Sequence, residues 1–214
     1  LMEKPRGEDT DADRRRFAFQ HAGELWMSDV MHGPGVFLKQ RTKRKTYLIG
    51  FLDDATRVSP YADFAWSENT RAFLPVLKQA ILRRGLPQRL YVDNGANYRS
   101  QHLALVCAKL GIALIHARPY RPQGKGKIER WFKTVRAQLL TRLRAEDTAS
   151  LEALNRRLHA WIEGEYHHAP HRGLGGMTPL EQWAQTGEGV RFPEPGLDLD
   201  DLFLFEAQRK VQKD

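Results

Sequence analysis

The chain has 214 residues, is 41% hydrophobic, and sets 34 Lys and Arg against 26 Asp and Glu, for a formal charge of +8. That length suits one sizeable domain with appendages, and the positive balance favours an anionic partner. A single cysteine, Cys107, excludes an internal disulfide framework. No apolar run approaches the roughly 20 residues that span a bilayer, and no signal peptide is visible, so a cytoplasmic location without membrane contact is expected.

Residues 1–20 read as a flexible, polar lead-in. From Leu25 to Val30 a short buried strand ends close to an acid, Asp29. A Gly-Pro-Gly turn follows, and Lys39, Arg41, Lys43, Arg44 and Lys45 put five bases and no acid into seven positions of an expected hairpin tip. Such a tip suits phosphate contact, with a merely solvated loop as the alternative. Residues 46–53 and 57–66 read as the second and third strands, joined by Asp53-Asp54-Ala55-Thr56, whose side chains can bond their own backbone in a turn.

A helical stripe (Phe73, Leu74, Leu77, Ala80, Ile81) spans 69–84, with Pro75 expected to kink its start. Leu90, Tyr91 and Val92 form a fourth strand that delivers Asp93 into an Asn-Gly turn. A helix over 100–110 and a fifth strand over 112–116 follow, with Cys107 as an apolar filler of that helix. The Pro- and Gly-rich stretch 118–126 reads as a loop, and a long helix is expected from there to about Leu143, striped by Ile128, Phe132, Val135 and Leu139. Asp147-Thr148 is the expected cap of another helix. His167, His168 and His171 lie in a turn-rich stretch without paired-ligand spacing for zinc, so loop structure is favoured there. The acidic stretch 194–206 encloses Leu202-Phe203-Leu204-Phe205, an opening strand or a patch laid on the core.

The first three strands are joined by tight turns and pair antiparallel. The last two each follow a helix, which suits parallel addition. The fold expected is therefore α/β, a five-stranded mixed sheet flanked by helices. In it Asp29 and Asp93 end neighbouring strands, and the helix brings Glu129 over them. Three carboxylates without thiolates suit a hard cation, Mg²⁺ or Mn²⁺. Two such ions can clamp a phosphodiester between an activated nucleophile and the leaving oxygen. Between Arg118 and Arg136 seven bases face one acid, Glu129, as a polyanion would require.

Trp26-x-x-Asp29, Asp93-Asn94-Gly95-x-Asn97-Tyr98-x-Ser100 and Pro119-Tyr120-x-Pro122-Gln123-x-x-Gly126-x-Ile128-Glu129 together resemble the catalytic core of retroviral integrases and insertion-sequence transposases. The 35 residues between Asp93 and Glu129 match that family's spacing. His171-x-x-Leu174-x-x-Met177-Thr178-Pro179 resembles the end of the core in its bacterial members. The resemblance covers roughly residues 22–183 and implies an RNase H-like fold with Asp29, Asp93 and Glu129 as catalytic, metal-holding acids, with two ions expected.

It further implies cleavage at the element's DNA ends, joining of the freed 3′-hydroxyl to target DNA, and homo-oligomers on DNA in the nucleoid. Asn94, Asn97, Tyr120, Lys125, Lys133 and Arg136 become candidate DNA contacts, beside Lys43, Arg44 and Lys45 of the hairpin. Lys125 stands where viral members usually carry a neutral polar residue. The alternatives are an RNase H-like nuclease that only hydrolyses, and an inactive DNA-binding or assembly module. The core is expected over 21–185, with 186–214 an extension that weakly resembles the opening of a small β-barrel domain.

Overall fold

A computed structural model of the chain describes residues 19–39, 42–95, 98–117 and 125–204. Five strands form one sheet in the order β3-β2-β1-β4-β5. They are β1 (Trp26–Lys39), β2 (Thr42–Asp53), β3 (Ala62–Ala65), β4 (Arg89–Val92) and β5 (Ala113–His116). β1, β2 and β3 pair antiparallel, whereas β4 runs parallel to β1 and β5 parallel to β4. This is the expected mixed sheet of the RNase H-like fold.

Alternation along the strands sends side chains to two separate cores. Trp26, Ile49, Phe51, Leu90 and Val92 face one side. There they meet α1 (Thr70–Arg84), α2 (Gln101–Lys109) and α6 (Leu199–Phe203). Met27, Met31, Leu48 and Leu52 face the other side. That core is closed by α3 (Gly126–Thr134) and α4 (Leu151–Gly164); the remaining helix, α5, spans Pro179–Thr186. Gly50 lets α3 lie close to the sheet, because a Cβ there would fall 2.5 Å from Cζ3 of Trp131. Cys107 is buried in the first core, where burial pushes its thiol up to about 12.

Several expected boundaries move, each for a physical reason. β1 continues to Lys39 and β2 begins at Thr42, so Lys43, Arg44 and Lys45 lie in a strand rather than at a loop tip. The ladder runs out through Phe37↔Lys43 to Lys39↔Thr42 and is reinforced by the Lys43 ammonium 4.7 Å from the Phe37 ring centre. β3 is confined to four residues, because the chain between Asp54 and Tyr61 is spent on a turn in which Arg57 adopts φ 62°. α1 runs unbroken through Pro75, which lies on its exposed side and leaves the buried stripe intact.

The long helix after Gly126 is not a single α-helix. It widens to a π turn over Val135–Leu139 and then tightens to a 3₁₀ turn over Leu140–Arg142, keeping Val135 and Leu139 buried. Ser150, not Asp147 or Thr148, caps α4 by accepting from the N–H of Ala153; Asp147 and Thr148 belong to a separate 3₁₀ turn. Leu199, Leu202 and Phe203 form a short helix buried against the first core, so the patch reading holds for them and the strand reading does not.

Candidate active site

Asp29 does not end its strand as expected, because β1 runs ten residues past it. The neighbouring ladder ends instead. β1 and β4 pair at Trp26↔Leu90 and Met27↔Tyr91, and β4 stops at Val92. Beyond Met27 the sheet therefore opens on that side, and Asp93 leaves β4 beside the gap. Asp29 shares its face of β1 with Met27 and Met31, the side on which α3 packs.

The two acids meet at one cation of the chain. The ammonium of Lys125 lies 3.4 Å from Oδ1 of Asp29 and 3.3 Å from Oδ2 of Asp93. Burial raises the Asp29 carboxyl above the usual range, and the charge of Lys125 opposes that rise. Oδ1 of Asp29 also accepts from the N–H of Val30, and Oδ1 of Asp93 accepts from the N–H of Gly95. Each carboxylate is thus oriented by a local backbone donor, with one oxygen turned to Lys125.

Tyr98 is buried beneath the acids with its ring edge-on to Phe73. Burial raises its hydroxyl pKa, and the negative charges of Asp29 and Asp93 raise it further. The side-chain amide of Asn94 donates to the carbonyl of Ala117, tying the exit of β4 to the exit of β5. That amide is occupied within the fold, which the Asn-Gly turn signal gave no means of foreseeing.

Glu129 lies in the first turn of α3 with its side chain exposed, and its N–H donates to the carbonyl of Lys125. Positions i and i+4 of a helix lie on one face, so Glu129 stands one turn beyond the cation that joins the two aspartates. Among the described residues no three His, Cys, Asp or Glu side chains form a group able to hold an ion. The structure thus brings Asp29 and Asp93 together and leaves Glu129 adjacent to the pair, not gathered into it.

Lys133 is exposed one turn further along α3. Arg136, also exposed, falls in the π turn, whose wider winding breaks the α-helical register that would align it with Glu129. Lys43, Arg44 and Lys45 are exposed far along the hairpin. Arg44 pairs with Val36, and seven strand residues from Asp29 amount to roughly 23 Å. Asn97 and Tyr120 lie outside the described residues.

Asp53 behaves as the turn former, whereas the Asp54 side chain is spent on tertiary contacts. Asp53 accepts from the N–H of Gly23 and from both the N–H and the hydroxyl of Thr56. Burial still pushes its carboxyl up to about 6. Asp54 accepts from Phe19 N–H and pairs at 2.7 Å with the Lys127 ammonium. His167 is fully buried, accepting from the N–H of Ser59 and sharing a hydrogen bond with Glu163, so its role is structural.

The TnsB C-terminal domain family matches residues 71–145. The transposase for transposon Tn552 of Staphylococcus aureus is 26% identical over 211 residues, covering 89% of this chain and 44% of that protein. A putative transposase for insertion sequence element IS5376 of Geobacillus stearothermophilus is 28% identical over 165 residues, covering 72% of this chain and 39% of that protein. The HTLV-2 integrase catalytic core domain, solved in complex with magnesium in a trimeric form, superposes with a TM-score of 0.56. It is 19% identical and covers 74% of this chain and 95% of that one. The chain thus has the fold of the integrase catalytic core, and its sequence is similar to those of bacterial transposases. It spans under half the length of these two bacterial relatives. Around the acid pair, sequence reasoning missed the Lys125 bridge itself: the charge count showed a basic loop but not which base would face inward.

Proposed function

We propose that this chain is the catalytic core of a DNA transposase or integrase, which cleaves at the DNA ends of an element and transfers the 3′-hydroxyl to target DNA. The observation that supports this most is the convergence of Asp29 and Asp93, from separate strands, on a single positive charge. Two carboxylate oxygens that share one ammonium are a donor set that a hard divalent cation also accepts. Asp29 and Asp93 would hold Mg²⁺ or Mn²⁺, with Glu129 as the third acid. A bound pair of such ions supplies an activated oxygen nucleophile and stabilises the departing one.

The chain's own residues prepare that chemistry. Val30 and Gly95 orient the acids through their backbone N–H groups. The Lys125 ammonium holds the two like charges together until a cation takes its place, and the carbonyl of Lys125 links that residue to Glu129 at the start of α3. Lys133 and Arg136 stand exposed near the acids, where a DNA backbone would run, and Lys43, Arg44 and Lys45 extend the basic surface along the hairpin. Asn97 and Tyr120 remain proposed contacts from the motif alone. Asn94 contributes by fixing the exit of β4.

The magnesium and trimeric form named for the HTLV-2 core support a divalent ion and self-association here. Among the described residues no helix is long and apolar enough to cross a membrane, in keeping with a proposed place of action on the nucleoid. The core would span 21–185, with 186–214 an extension. The test is strand joining with a duplex carrying the element's terminal sequence in Mn²⁺. The protein joins ends to target DNA, and Asp93→Asn binds DNA but does not join. Hydrolysis without joining would favour a nuclease, and joining by the variant would remove Asp93 from the chemistry.

A further inference from the structure

Beside the first turns of α3 lies a cavity of about 310 Å³. It is lined by Arg57, Lys127, Arg130, Trp131, Tyr166 and His171 among others, with no carboxylate in its wall. We propose that this cavity is an oxyanion site that takes a phosphate group. The inference goes beyond the acid pair and stands whether or not that pair holds a cation.

Three features point to an anion. First, the wall contains buried donors without acceptors: Nη1 of Arg57 and Nε1 of Trp131 both lack a hydrogen-bond partner. A buried donor left unpaired costs about 1–3 kcal/mol, and a ligand rich in acceptor oxygens relieves that cost. Second, positive charge is concentrated there. The Arg57 and Arg130 guanidiniums face the same space, and both act on the His171 ring, whose pKa is lowered by burial first and then by these two charges. Asp54, outside the wall, pairs with Lys127 and, with Asp53, also acts on Arg57, so it offsets only part of the charge of Arg57, Lys127 and Arg130.

Third, the donors are held in place beforehand. Arg57 is the one non-glycine with positive φ among the described residues, at 62°. Its N–H donates to the carbonyl of Asp53, and its own carbonyl accepts from the Tyr166 hydroxyl at 2.8 Å. Strained backbone fixed at both ends is a mark of a functional position. Nδ1 of His171 accepts from the N–H of Gly173 at 3.0 Å, so in the neutral ring Nε2 carries the hydrogen and becomes a further donor. Arg130 adds the planar fork that matches a phosphate bidentately.

The occupant's chemistry is a phosphate, supplied either by a nucleic-acid backbone or as a free anion. The experiment follows the indole N–H resonance of Trp131, assigned by its loss in Trp131→Phe, while inorganic phosphate replaces chloride at constant ionic strength. A saturable shift is expected, with half-saturation moved roughly tenfold higher in Arg130→Gln, the loss of one charge-assisted hydrogen bond. Arg57→Gln provides a second, independent reduction. Adding a short DNA duplex then separates the sources. Reversal of the phosphate shift assigns the site to the DNA backbone, and persistence assigns it to a free anion. Asp93→Asn leaves the phosphate titration unchanged, so a failed strand-joining assay and a failed cavity are told apart. A linear, non-saturating drift, or saturation untouched by Arg130→Gln, overturns the inference.

Discussion

Replacing Lys125 with methionine keeps the length of the side chain and removes the charge that Asp29 and Asp93 share. At 3.3 to 3.4 Å, each contact is worth about 5 kcal/mol of gross Coulomb energy at an effective dielectric of 20. The net value is far smaller. The three side chains keep 18%, 20% and 37% of their surface in water, and pairs so exposed typically return about 0–1 kcal/mol each. At the middle of that range the two contacts together hold about 1 kcal/mol, which a divalent ion must displace to bind the acids. Lys125→Met should consequently raise Mn²⁺ affinity about fivefold, at 1.4 kcal/mol per decade. Without metal the same variant should be less stable, because two carboxylates then repel without a counter-charge. A loss of 1 kcal/mol lowers Tm by about 2–4 °C in a domain of this size. Calorimetric titration with Mn²⁺ and metal-free thermal unfolding together make the assay. Unchanged or weakened Mn²⁺ binding in Lys125→Met would refute the reasoning, since the ammonium would then not occupy the place of the ion.

Two other outcomes follow from the same structure. Gly50→Ala places a Cβ 2.5 Å from the Trp131 ring, and overpacking of this kind costs about 1–3 kcal/mol; thermal unfolding should show a drop of several degrees, and an unchanged Tm would mean that α3 is not seated as described. Lys133→Ala should weaken DNA binding across sequences and reduce the salt slope by about one, whereas an unaltered slope would place Lys133 off the DNA.

Much of this fold was legible because its strands carry short apolar runs separated by turn residues with one plain meaning each. Asp53 and Thr56 formed the turn that their side chains offered. The motif residues also named two acids, Asp29 and Asp93, that the fold brings to one ammonium. What stayed hidden depended on tertiary pairing. Asp29 looked like a strand end because the sequence does not reveal that β4, not β1, is the strand that stops. The π turn at Val135–Leu139 keeps an apolar stripe that reads as ordinary helix. Leu202 and Phe203 carry strand-like composition, yet burial against α1 and α2 settles them as a helix. The wall formed by Arg57, Arg130 and His171 joins three distant segments, and no local pattern could announce it.

The most direct measurement is the stoichiometry and affinity of Mn²⁺ for the protein beside its Asp29→Asn and Asp93→Asn variants. Saturable binding in the protein, lost or weakened at least about tenfold in each variant, is the expected result. Equal binding in all three would show that the two aspartates do not form the cation site on which the proposed chemistry depends.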